Sequence, residues 1–155
     1  MKNTITTTLE GKKPEIMLAV VLVRGLARVR APVVDTLRML KLTSKNQCVL
    51  IKDTPVYRGM LHKVKDYVTY GEITELVLKE LVKKRARPYE ESEMDRKKLY
   101  HYKVLEFNGK KYWPYFNLSP PLRGFGRKGI KISFKVGGSL GYRGEKINDL
   151  LTRMM

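Results

Sequence analysis

The continuous apolar run Ile16-Met17-Leu18-Ala19-Val20-Val21-Leu22-Val23 limits the possible folds more than any other stretch of this chain. It falls well short of the ~20 residues needed to cross a bilayer, and Arg24 stops it. Lys12 and Lys13 precede it as in a secretory leader, but Arg24, Arg28 and Arg30 follow where a leader would place small residues for cleavage. A short run without polar alternation and with several β-branched residues is read as a strand buried on both faces. The chain therefore has to supply further elements to cover it.

The following segments read as such elements. Gly25 to Ala31 is a basic loop, and Pro32 suits a helix start because its φ is already helical. Val33, Val34, Leu37 and Leu40 recur at helical spacing. Gln47 to Lys52 is a second strand, and Asp53-Thr54-Pro55 opens a second helix with a capping side chain ahead of the proline. Val56, Met60 and Val64 are its expected buried stripe. Tyr67 to Tyr70 is a third strand, closed by Gly71. The order β-α-β-α-β predicts one small sheet with two helices on one face. The later residues differ. Thr74 caps a helix to about Arg85, with Leu76, Val77 and Leu81, and Leu78 beside them, facing inward. Arg85 to Arg96 is charged and contains Pro88, so it reads as a linker or a frayed helix. Val104 to Trp113 is a hairpin whose Asn108-Gly109 pair supplies two positive-φ turn positions. Ile130 to Val136 alternates like a strand, and Ile147, Leu150, Leu151 and Met154 mark a terminal helix. This divides the chain into a tail (1–15), a core domain (16–72) and an extension (73–155). On that division, truncation after Glu72 leaves a folded domain.

Charge narrows the function. The chain carries 32 Lys+Arg and 15 Asp+Glu, a net +17, and so much excess charge calls for a polyanionic partner. Residues 1–72 hold 13 basic and 6 acidic residues, +7; residues 73–155 hold 19 and 9, +10. Between Phe107 and Gly144 there are eight basic residues and no acidic one. Glycines, prolines and aromatics are interleaved there, a composition suited to phosphates and unpaired bases. The candidate RNA-binding residues are Arg24, Arg28 and Arg30, which lie after the first strand and in its loop. Alternation puts Arg28 and Arg30 on one side if that loop is extended. Arg58, His62 and Lys63 follow on the second helix, whose capped start adds an anion site. Lys110, Lys111, Tyr112, Arg123, Arg127, Lys128, Lys131 and Arg143 lie in or at the edge of the acid-free stretch. For at least half of Trp113, Tyr115 and Phe116, a small core for the extension is the better reading than base stacking.

Catalytic alternatives are poorly supported. Gly124-Phe125-Gly126-Arg127-Lys128-Gly129 matches G-x-G-x-x-G, yet it follows Pro120-Pro121 and precedes a strand-like segment, not a helix. A flexible basic loop that moulds itself around phosphates is the better reading. Cys48 is the sole cysteine and lies in an apolar strand, where a raised pKa leaves it inert. His62 and His101 fall in different regions, and no carboxylates cluster for metal or acid/base work. We therefore expect no enzyme activity, no cofactor, no small-molecule substrate, no metal and no membrane partner.

Specific stretches go further. Leu18 to Arg24, Asp35-Thr36-Leu37-Arg38-Met39-Leu40 and Asp53-Thr54-Pro55-Val56-Tyr57-Arg58-Gly59-Met60 with Lys63-Val64 resemble the L-thirty family of large-subunit ribosomal proteins. The Asp-Thr-Pro-x-x-Arg-Gly-Met segment is the most specific. The short bacterial form ends near Glu72, whereas Pro120 to Phe125 and Gly141 to Asn148 resemble the longer archaeal and eukaryotic-type branch. The resemblance implies a ferredoxin-like core of α/β (α+β) class with a basic C-terminal extension. It also implies large-subunit rRNA and neighbouring ribosomal proteins as partners, proximity to 5S rRNA, and a place in the cytoplasmic large subunit. It makes Arg58 the strongest single candidate for phosphate contact. The expected function is thus a structural constituent of that subunit; the alternative is a free-standing RNA-binding or RNA-chaperone protein.

Overall fold

The computed structural model describes residues 17–89 and 104–155. The expected tail, Ile16, His101 and the linker from Glu90 onward lie outside the described residues. The first apolar run forms β1 (Met17–Leu22), followed by α1 (Ala31–Met39), β2 (Gln47–Lys52), α2 (Pro55–Val64) and β3 (Val68–Glu72). This is the ferredoxin-like β-α-β-α-β core. β1 is central and antiparallel to both neighbours, with Val20 opposite Val49 on one side and Tyr70 on the other.

All six residues of β1 are buried, and they divide by parity. Leu18, Val20 and Leu22 face one apolar cluster, with Leu37 of α1 and Leu61 and Val64 of α2. Met17, Ala19 and Val21 face the other, with Leu78, Leu81 and Val82 of α3 (Glu75–Arg85) and Ile147, Leu150, Leu151 and Met154 of α4 (Ile147–Met154). A strand's side chains alternate between faces, so an unbroken apolar strand requires such a layer on each side. α4 fulfils its expected pattern, with all four apolar positions buried.

The segment after Glu72 also extends the sheet. The hairpin strands β4 (Leu105–Phe107) and β5 (Lys110–Tyr112) turn through Asn108 (φ 50) and Gly109 (φ 71), as the Asn-Gly pair predicts. β6 (Tyr115–Asn117) then pairs with β2, and β7 (Gly141–Tyr142) pairs in parallel with β3. The five-stranded order is β6-β2-β1-β3-β7. Neither edge strand is apparent in the sequence, because runs of two or three residues carry almost no periodicity.

Four expectations change in detail. The buried side of α2 is Leu61 and Val64 with Tyr57 and Met60 packed beside them, while Val56 is 68% exposed. In α3, Leu78, Leu81 and Val82 are buried and Leu76 is 77% exposed. In each helix the expected stripe loses its first residue, Val56 or Leu76, while Met60, Val64, Val77, Leu78 and Leu81 face the core as expected. Ile130–Val136 is no strand: the chain turns, and Phe134–Val136 forms a short 3-10 turn. The Ile132 carbonyl accepts from Ser139 N (2.8 Å) and Leu140 N (3.1 Å), folding the segment back on itself. Gly71 does not close β3 but lies within it, opposite Ala19, where a Cβ would stand 2.1 Å from the Gly144 carbonyl oxygen.

Two outcomes follow from this packing. Gly71→Ala lowers stability by about 1–3 kcal/mol in thermal or urea melts, because the clash is with backbone and cannot rotate away. That exceeds the few tenths to ~1 kcal/mol gained from a less flexible unfolded chain. Truncation after Glu72 removes α3, α4, β6 and β7, exposing Met17, Ala19, Val21 and Cys48. On this ground we expect the 17–72 fragment to lose its cooperative melt and to bind hydrophobic dyes, the reverse of the expectation from sequence.

Candidate nucleic-acid interface

β1, β3 and the loops around them assemble one end of the sheet. Arg24 leaves β1 there, its backbone N–H donating to the Tyr67 carbonyl (3.1 Å) and its guanidinium to the Asp66 carbonyl (3.1 Å). The same guanidinium lies 4.9 Å from the Tyr67 ring centre, a cation–π distance. α2 ends toward this end of the sheet before Tyr67 leads into β3, and His62 and Lys63 in its last turn are both exposed. Segment 118–140 also begins and ends here, since β6 pairs Asn117 with Gln47 and β7 pairs Gly141 with Thr69.

Arg28 and Arg30 are exposed in the loop leading into α1. They do not share a side through extended alternation, because Arg28 has φ 59 and the Val29 N–H closes a turn onto Leu26 (3.4 Å). Lys110 and Lys111 point outward from the hairpin. Tyr112 instead packs its ring against the α3/α4 core, which leaves it half-buried. Of the other aromatics, Phe116 is fully buried in that same core, whereas Trp113 stacks edge-on with Tyr89 at 5.0 Å. The aromatic stretch is thus divided between the buried Phe116 and the half-buried Tyr112, Trp113 and Tyr115.

Arg58 stands apart, near the start of α2. Thr54 caps that helix, its hydroxyl accepting from Tyr57 N (3.3 Å), and Asp53 grips Arg58 through both carboxylate oxygens. The Arg58 hydrogen bonds hold the Asp53 carboxyl below the usual carboxylate range. A guanidinium has five N–H donors, and Asp53 occupies only its Nε and Nη2 nitrogens. Among the described residues no hydrogen bond takes its remaining donors, which can be offered to a phosphate. Tyr142 donates to Glu72 (2.7 Å), and this hydrogen bond raises the phenol above its ordinary pKa.

Arg123, Arg127, Lys128 and Lys131 are exposed along segment 118–140. The strand–loop–helix needed for a dinucleotide does not form around Gly124–Gly129. Instead, the Lys128 N–H donates to the Gly137 carbonyl (3.2 Å) and the Ser139 hydroxyl to the Gly129 carbonyl (2.7 Å). Arg143 corrects the sequence reading, for it is 6% exposed and its side chain faces inward. Its Nε donates to the Thr69 hydroxyl (3.2 Å), and Nη2 donates to the Phe125 (3.1 Å) and Ser139 (3.2 Å) carbonyls. Burial, with Arg153 adding a smaller repulsion, lowers its pKa to about 10.

Sequence reasoning passed over Lys135 and Lys146, both exposed beside this segment. Lys135 lies inside the acid-free stretch, which was the available signal. Burial pushes the Cys48 thiol up to about 12, well away from a nucleophile's range. Among the described residues no group of His, Cys, Asp and Glu could hold a metal ion, and no helix is long and apolar enough to cross a membrane.

Comparison with known proteins identifies the lineage. Residues 18–68 match the family profile described as Ribosomal protein L30p/L7e. The chain is 45% identical to the large ribosomal subunit protein uL30 of Methanopyrus kandleri, over 85% of this chain and 99% of that protein. It is 44% identical to uL30 of Methanococcus maripaludis, over 88% and 98%, and 42% identical to uL30 of Nanoarchaeum equitans, over 88% and 97%. These relatives match along the extension as well as the core. The chain accordingly belongs to the L30p/L7e family of ribosomal proteins, in its longer, archaeal-type form.

Proposed function

We propose that this protein is a structural constituent of the large ribosomal subunit in the cytoplasm, where it binds and stabilises folded rRNA and so supports subunit assembly and translation. The observation that carries this reading is the near full-length kinship with archaeal large-subunit proteins. The net charge of +17 and the exposed cations of the loops are consistent with it. The role is one of scaffolding without catalysis. Phosphates are contacted by Arg24, Arg28, Arg30, Arg58, His62, Lys63, Lys110, Lys111, Arg123, Arg127, Lys128 and Lys131, through backbone and shape more than base sequence. We further propose 5S rRNA and neighbouring ribosomal proteins as contacts.

Three measurements test this. After a high-salt wash, the native protein stays in the large-subunit fraction of a sucrose gradient; release into the top fractions favours a free-standing RNA-binding protein. Purified protein binds deproteinised large-subunit rRNA with log K falling against log salt at a slope near about −4, as expected if about five phosphates are neutralised. A flat response rules out the electrostatic mechanism. Arg58→Ala weakens that binding roughly tenfold or more, the size of one lost charge-assisted hydrogen bond, with the far-UV spectrum unchanged.

A further inference from the structure

The buried guanidinium of Arg143 is the least expected feature of the fold. Among the described residues no carboxylate bonds to it, and Asp149 acts on it only through its charge: its partners are the Thr69 hydroxyl, the Phe125 and Ser139 carbonyls, and the Phe134 ring 4.5 Å away. Burying a cation without a carboxylate in direct contact is costly, and for core stability alone an apolar side chain would serve better. A guanidinium does offer a rigid planar fork of donors that can bind several oxygens at fixed angles. Here the fork joins β3 to the two flanks of one segment, Phe125 before it and Ser139 after it. The Arg143 backbone is itself held, its N–H donating to the Tyr70 carbonyl (2.8 Å).

Everything between those flanks is compact. Lys128 N donates to Gly137 O (3.2 Å), Phe134 N to Leu140 O (2.8 Å), Gly138 N to Ser133 O (3.0 Å) and Ser139 N to Ile132 O (2.8 Å). A Cβ at Gly126 would lie 2.6 Å from the Gly138 carbonyl oxygen, and one at Gly138 would lie 2.1 Å from that of Ile132. With the backbone polar groups turned inward, Arg127, Lys128, Lys131 and Lys135 are all exposed on a stretch without an acid. Lys146 adds a fifth exposed cation, its Nζ 5.8 Å from the Phe134 ring centre.

We propose that Arg143 is a positioning residue that folds segment 125–140 into a phosphate-binding platform for RNA before the RNA arrives. This rests on the RNA-binding reading above and replaces the flexible, moulding loop expected from sequence. The platform takes the phosphate backbone of a folded RNA, with Lys135 and Lys146 joining the three cations read from the sequence. Because the loop is ordered during folding, binding does not have to supply that ordering.

The test uses the full chain. In the RNA-free protein, the amides of Lys128, Ser139 and Leu140 exchange with deuterium roughly 100-fold more slowly than in an unstructured peptide. In Arg143→Lys, which keeps the charge but loses the fork, and in Arg143→Met, these amides exchange about tenfold or more faster while those of Val20 and Leu50 stay slow. The same variants bind deproteinised large-subunit rRNA with a salt slope shallower by about two, as expected when about two phosphate contacts are lost. Two results overturn the proposal: wild-type loop amides that exchange at unstructured rates, or variants that lose loop protection yet keep wild-type affinity and slope. Should both Arg143 variants fail to fold, Ser139→Ala removes the hydroxyl bond to Gly129 and is expected to loosen the same amides and flatten the slope. No change in either measurement also overturns the proposal. A wild-type chain that does not bind rRNA at all refutes the ribosomal reading, while the exchange data in that chain still decide whether Arg143 orders the loop.

Discussion

Every other layer of this protein depends on β1 being apolar on both faces. A strand with one wet face can end its sheet's obligations with a single helical layer; β1 cannot. Leu18, Val20 and Leu22 require α1 and α2, and Met17, Ala19 and Val21 require α3 and α4. Each buried side chain contributes on the order of 1.5–3 kcal/mol when removed from water, so leaving one parity of β1 uncovered would forfeit several such terms at once. That is comparable to the whole net stability of a small domain, about 5–15 kcal/mol. The extension therefore has two roles, completing the core with one side and presenting cations on the other.

Serving both roles requires the extension to keep its charges out of the core it completes. α4 does so by periodicity, with Ile147, Leu150, Leu151 and Met154 inward and Asp149 and Arg153 paired at 3.1 Å on the outer side. Segment 118–140 has no such periodicity and relies on anchors. Arg153 donates to the Leu122 (2.9 Å) and Gly124 (2.8 Å) carbonyls, and Arg85 donates to the Ser119 hydroxyl (2.6 Å). With Arg143, three arginines thus bond loop backbone or loop hydroxyls. Arginine suits this task because its charge persists at all physiological pH values and its donors are fixed in a plane. Lys128, Lys131 and Lys135, together with Arg123 and Arg127, occupy the outer positions of the same loop.

This division also sets what the sequence could reveal. β1, β2, β3, α1, α2 and α4 were legible because each carries an apolar pattern long enough to have a period, or a capping signature such as Thr54-Pro55. The Asn108-Gly109 hairpin was legible from backbone chemistry alone. Segment 130–136 misled, since alternation of Ile130, Ile132 and Phe134 mimics a strand while nonlocal bonds from Ser139 and Leu140 decide its shape. Arg143 misled for the same reason. In composition it is one more cation in an acid-free stretch, and only the tertiary fold brings Thr69, Phe125 and Ser139 around it. Val56 and Leu76 show that the first residue of a stripe is easily drawn on the wrong side when most helix positions are apolar or charged.

The placement of cations bears on how a chain of +17 remains folded without its partner. Like charges on a compact surface repel, and the few acids could be spent on neutralising them. Instead several acids serve the framework: Asp53 grips Arg58 at the start of α2, Asp149 holds Arg153, and Glu72 accepts from Tyr142 beside β7. Exposed ion pairs of this kind are worth little each, so they do not offset the excess charge. The excess is left on loops and helix ends, where separation and counterions screen it over about 8–10 Å at physiological salt. Exposed basic side chains displace the cations condensed on RNA phosphates, and the release of those cations is a large source of binding free energy for a basic protein. A surface that is slightly unfavourable alone is therefore the one that gains most when the polyanion is present, provided the core beneath it is held independently. β1 and its two layers meet that condition.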